Sequence, residues 1–176
     1  IPLLGLHQVQ NAATAAAALW EMSARGVQVS DAAIRRGFGA VRWPARFQVV
    51  QAEPPVVFDS AHNQDSFSRL RQTLDEYFPN RAVYMVFGAS EDKNIPGMFE
   101  EMKGKLRCLL ITKADHPRAL PPDAIARLAK QAGLDAEVIP NVGAAFRRAL
   151  ELAANDGSIV VSAGSMFVTA EVMAEW

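Results

Sequence analysis

The chain has 176 residues, 50% hydrophobic and 21% charged, enough for one domain with a sizeable core. Eighteen basic against nineteen acidic residues leave a formal charge of −1, which argues against a nucleic-acid surface and against an acidic disordered tail. A single Cys108 rules out a disulfide framework, and no apolar run reaches the ~18–20 residues of a membrane helix. Without a basic leader or a small-residue cleavage site, the expected location is the cytoplasm. The chain opens on IPLLGLHQ without Met, so residues 1–176 are expected to be one domain cut from a longer protein.

Residues 11–26 are rich in Ala and predict a helix with Ala15, Leu19 and Met22 on one face, Asn11 as N-cap and Gly26 as terminator. So much Ala implies close packing against a second short helix that starts at Ser30. RFQVVQ alternates apolar and polar residues, the mark of a half-buried edge strand. EPP turns the chain into PVVFD, a buried strand, and the helix that follows places Phe67, Leu70, Leu74 and Phe78 on one face. AVYMVFG is a second apolar strand. After the loop GASEDKN come a short helix around residues 98–103 and the strand LRCLLIT, in which Cys108 reads as a buried structural thiol. A helix capped by Asp123, the short strand AEVI, the helix VGAAFRRALELAAN, the strand SIVVSAG and a terminal helix complete the pattern. Strands alternating with helices, four of them apolar on both faces, predict an α/β domain. The expectation is a Rossmann-like, three-layer arrangement of about six mostly parallel strands with helices on both faces.

In such a sheet the loops after Phe58, Phe87, Ile111 and Ala163 emerge along one edge, where open α/β sheets bind ligands. They carry Asp59, His62 and Asn63, then Lys93, then Asp115, His116 and Arg118, then Gly164 and Ser165. The cations and helix starts favour anionic groups, and the Gly164–Ser165 turn offers backbone N–H groups to an oxyanion. Each residue also has a plainer reading. Asp59, Asn63 or Ser165 is a cap, Arg46 a surface charge at an edge strand, and His116 and Arg118 solvate a proline-rich loop. No phosphate loop, G-x-G-x-x-G turn, metal-spaced histidine pair or G-x-S-x-G elbow is present. The residues point to electrostatic positioning and offer no nucleophile.

The stretches LLGLHQVQNAATAAAAL, WPARFQVV, VVFDSAHNQDS, VFGASEDKN, HPRAL and SAGSMFVTAE, in this order, resemble the C-terminal domain of the folylpolyglutamate synthase/dihydrofolate synthase family in the Mur ligase superfamily. The resemblance implies an ATP-dependent ligase that phosphorylates a carboxylate and lets the amine of L-glutamate attack the acyl phosphate. Dihydropteroate or a folate is the implied acceptor. ATP with Mg²⁺ is the implied cofactor, with the Mg²⁺ ligands and phosphate loop in an N-terminal ATPase domain in cis. No metal ligand is assigned to this chain, which is expected to be inactive alone, and the enzyme is expected to be a monomer. By the same resemblance Asn11, Arg46 and Asp59 contact the nucleotide. His62, Ser165 and Lys93 lie near glutamate and the transferred phosphate, with His62 the candidate catalytic group. The chain departs from the family at Ala45 and Ser60, where Gly is frequent, and at Leu6, where a basic residue is common. The alternatives are the equivalent domain of a Mur peptidoglycan-precursor ligase, or a non-catalytic α/β module for small anions.

Overall fold

Apolar runs that cannot face water on either side must lie between two helical layers, and this is where the computed structural model, which describes residues 1–176, places them. The strands are β1 (Gln48–Ala52), β2 (Pro55–Phe58), β3 (Val83–Phe87), β4 (Leu106–Ile111), β5 (Ala136–Val138) and β6 (Ile159–Ala163). They form one sheet in the order β1-β2-β6-β3-β4-β5. β1 runs antiparallel to β2 at the edge, and all other neighbours are parallel. Residues in β2, β3 and β6 are buried throughout, whereas β1 is half-buried.

The period of two in the strands divides the core. Val57, Met85, Phe87, Leu109 and Val161 join a cluster completed by α3 (Gln64–Tyr77), α4 (Ile95–Glu101) and α5 (Pro122–Gln131). Val56, Phe58, Val86, Leu110 and Val160 face the other way, toward α6 (Val142–Asp156) and α7 (Met166–Glu175). Three layers follow from that alternation. Asn63 caps α3 through its side-chain oxygen, in a reciprocal capping box with Ser66, and Asn141 and Ser165 cap α6 and α7.

Several boundaries differ from the sequence pattern. The first helix, α1 (Leu6–Ala24), starts five residues earlier than expected, with Gly5 at its N-cap. Asn11 is therefore an exposed mid-helix residue and caps nothing. Leu6 to Gln10 are adequate helix formers, and Gly5, at φ 99°, supplies the break. Close packing of α1 is also overturned. None of its residues is buried, and Leu6, Val9, Trp20 and Met22 are exposed. The second helix, α2 (Asp31–Gly39), buries only Ile34 and is capped by Ser30 as expected. α4 begins at Ile95 because Asn94 accepts from the Gly97 N–H and Pro96 fits the first turn. α5 is preceded by Pro121, leaving Asp123 inside the first turn, where its charge suits the helix dipole. Cys108 is half-buried, and burial pushes its thiol up, away from the reactive thiolate.

Candidate functional site

The turn that carries Arg46 is unusual in its backbone. Ala45 and Phe47, on either side of Arg46, both have positive φ, at 56° and 43°. L-residues adopt that region at a cost, so something must hold the turn. Four bonds do. The Phe47 N–H donates to Asp59 Oδ2 at 2.8 Å, the Ser60 N–H to the Ala45 carbonyl at 2.9 Å, and the Ala45 N–H to Gln48 Oε1 at 3.0 Å. The second carboxylate oxygen, Asp59 Oδ1, accepts from the Ala61 N–H at 2.7 Å. Phe47 itself is buried, with its ring against Tyr77 and Phe78. Burial pushes the Asp59 carboxyl up, while the two backbone donors, Arg46 and His62 pull it down.

The outcome at the two departures from Gly follows from these angles. Ser60 has no positive φ and fits its place, but Ala45 is strained. Replacing Ala45 with Gly removes ~1–2 kcal/mol of left-handed strain and gives up part of one methyl's burial, at most ~0.8 kcal/mol. Ala45→Gly is expected to raise the urea midpoint slightly, by about 0.5 kcal/mol in stability; a lowered midpoint would show that the methyl outweighs the strain.

Beside this turn lies a cleft of about 520 Å³. Asn11, Arg46 and Asp59, expected at the nucleotide, all line it. So do five polar residues that were not singled out as candidates: His7 and Gln8 of α1, and Asp65, Ser66 and Arg69 of α3. Trp43 lines the mouth, with the Arg46 guanidinium 5.5 Å above its ring. Burial first, then Arg69 and Arg46, hold the His7 imidazole below its ordinary pKa, against the opposite pull of Asp65. Arg69 reaches Asp65 only at 4.0 Å, and Arg46 makes no ion pair within 4.0 Å. Two guanidinium groups without close carboxylate partners, beside an indole face, suit an anionic ligand with a planar ring. The one sequence signal for Arg69 was position, less than two turns into the helix that follows the DSAHN loop, and for His7 it was its place one turn before Asn11.

The remaining candidates stand along the rim in strand order, outside the cleft. His62 follows β2, and its Nδ1 pairs with the Ser60 carbonyl at 2.9 Å. Ser165 follows β6 and is nearly buried, with Oγ accepting from the Phe167 N–H at 3.2 Å. Lys93 follows β3 and is paired with Asp92 at 2.9 Å. The neighbouring loops are tied together, since the Glu91 N–H donates to the Arg118 carbonyl and Ser90 bridges Ala119. His116 stacks on Phe167 with ring centroids 3.9 Å apart. The expected oxyanion role of the Gly164 N–H is overturned, because that group donates to the Ala61 carbonyl at 2.7 Å. No group of three His, Cys, Asp or Glu side chains is placed to hold a metal ion, and no helix is long and apolar enough to cross a membrane.

A mostly parallel six-stranded sheet between two helical layers, with its polar loops on the carboxyl rim, defines a Rossmann-like α/β domain. Residues 45–166 match the family described as Mur ligase, glutamate ligase domain, and the chain belongs to that family. It is 36% identical over 118 residues to the dihydrofolate synthase/folylpolyglutamate synthase of Bacillus subtilis, covering 66% of this chain and 27% of that one. A probable bifunctional folylpolyglutamate synthase/dihydropteroate synthase of Halobacterium salinarum is 36% identical over all of this chain and 21% of its own length. Among solved structures, Mycobacterium tuberculosis folylpolyglutamate synthase complexed with ADP and AMPPCP superposes with a TM-score of 0.86 at 31% identity. That match covers 98% of this chain and 40% of the other. The chain thus spans about a fifth to two fifths of the length of these relatives.

Proposed function

We propose that residues 1–176 form the nucleotide- and glutamate-binding lobe of an ATP-dependent ligase. The reaction is addition of L-glutamate to dihydropteroate or a folate through an acyl phosphate. The observation that carries this reading is the meeting of Asn11, Arg46 and Asp59 at one cleft, although they come from α1, the turn before β1 and the loop after β2. The relatives named for this chemistry, one of them complexed with ADP and AMPPCP, support the ligand class.

In this reading the Arg46 fork binds phosphate oxygens and neutralises charge that builds as the phosphoryl group transfers. Arg69 adds a second positive charge from α3, and Trp43 offers a face to the base. Farther along the rim, His62, Ser165 and Lys93 face glutamate and the transferred phosphate, with His62 orienting the reacting groups. Mg²⁺ would neutralise the polyphosphate, held by ligands of an ATPase domain in cis.

The test is ADP release by the full-length protein. Release that requires both L-glutamate and dihydropteroate or a folate is expected. Release driven by a peptidoglycan precursor and another amino acid, or by neither acceptor, would overturn the folate assignment.

A further inference from the structure

His62 stands on the rim just after β2, half-buried, and its ring makes one hydrogen bond: Nδ1 lies 2.9 Å from the Ser60 carbonyl oxygen. A carbonyl carries no proton, so Nδ1 must supply it. In the neutral imidazole a proton on Nδ1 leaves Nε2 with a free lone pair. No protein group takes that lone pair. The frame that sets the tautomer is held on both sides. Ser60 is buried, and its N–H donates to the Ala45 carbonyl at 2.9 Å. The Ala61 carbonyl accepts from the Gly164 N–H at 2.7 Å. The His62 N–H donates to Ser66 Oγ at 3.0 Å, inside the capping box that starts α3. The imidazole is thus presented with one tautomer and an open acceptor.

We propose that His62 is the general base of the transfer step, with Nε2 taking a proton from the ammonium of L-glutamate. The assignment rests on the reading of this chain as a lobe of a ligase that works through an acyl phosphate. Such a step needs a base, because an amine near neutral pH is mostly ammonium and has no lone pair with which to attack. Once the proton has moved, the nitrogen lone pair forms the C–N bond at the acyl carbon and the C–O bond to phosphate breaks. The second N–H proton leaves with the phosphate as hydrogen phosphate, and His62 returns its own proton to water.

Hydroxylamine as a substitute nucleophile in the full-length enzyme isolates the proton transfer, since it is uncharged near neutral pH and attacks an acyl phosphate without a base. His62→Gln is expected to lower kcat with L-glutamate about 10²–10⁴-fold. ATP-dependent hydroxamate formation by the same variant is expected to stay within about twofold of the parent. An equal loss with both nucleophiles in a folded variant would place His62 in acyl-phosphate formation. A higher KM for glutamate at unchanged kcat would leave it a binding group. Either result would overturn the proposal. His62→Ala supplies the second readout, decisive if His62→Gln fails to fold. Added imidazole is expected to restore its glutamate transfer in proportion to concentration, and no restoration would overturn the proposal. If the parent enzyme itself forms no hydroxamate from dihydropteroate or a folate, the ligase reading falls instead.

Discussion

Gly164→Ala is expected to cost about 3–5 kcal/mol of folding stability, a large share of the ~5–15 kcal/mol that holds a typical domain together. Two terms add. Gly164 has φ 98°, and a side chain there costs ~1–3 kcal/mol of backbone strain. A Cβ would also stand 2.5 Å from the Gly88 carbonyl oxygen and 2.6 Å from the Phe87 ring. Neither neighbour can yield easily. Gly88 is itself held against the Thr112 carbonyl, which a Cβ on Gly88 would approach to 2.8 Å, and Phe87 is fully buried. At this point the backbones leaving β3 and β6 come so close that only glycine fits at 164. Gly26→Ala is the control: φ is 92° there, but nothing lies within 4 Å of the added carbon. Urea denaturation should therefore show a loss of about 1 kcal/mol for Gly26→Ala and several times that for Gly164→Ala. Equal losses would show that strain alone acts and that the crossing is loose.

The glycine crossing was legible in the sequence only as a turn. Strand identity was plain, because PVVF, VYMVF and IVVSA are apolar on both faces and a parallel sheet is the place for such runs. Strand order was not, since periodicity describes one element and says nothing of its neighbours. Asn11 misled for a physical reason. Asn before a run of Ala is a good cap, but the five residues ahead of it were equally able to continue the helix, and Gly5 made a better break. The burial of α1 was misjudged because Ala tolerates water and core alike. Of the site, the DSAHN and WPAR loops were recognisable, yet His7, Asp65 and Arg69 sit on polar helical positions, where pattern is silent about direction. The bonds from Asp59 to the Phe47 and Ala61 N–H groups were hidden too, because a carboxylate that binds backbone has the same letter as one that binds a ligand.

Arg46→Ala in the full-length enzyme is expected to lower kcat/KM for ATP about a hundredfold and leave the fold intact. The magnitude follows from what a preorganised donor to a charged group is worth, ~2.7 kcal/mol, and the geometry argues that the full amount is at stake. Arg46 has no carboxylate partner within 4.0 Å to compensate for its absence, so its charge is directed at the cleft. Its side chain is half-buried and stacks loosely on Trp43, so truncation removes little packing. The backbone turn survives because the bonds that hold it come from Ala45, Phe47 and Ser60, none of which involves the Arg46 side chain. Arg46→Lys sharpens the comparison. A point charge keeps long-range attraction but loses the bidentate fork, so it should restore KM for ATP more fully than kcat. Equal recovery of both would mean that Arg46 serves binding alone, and an unchanged kcat/KM in Arg46→Ala would remove it from the site.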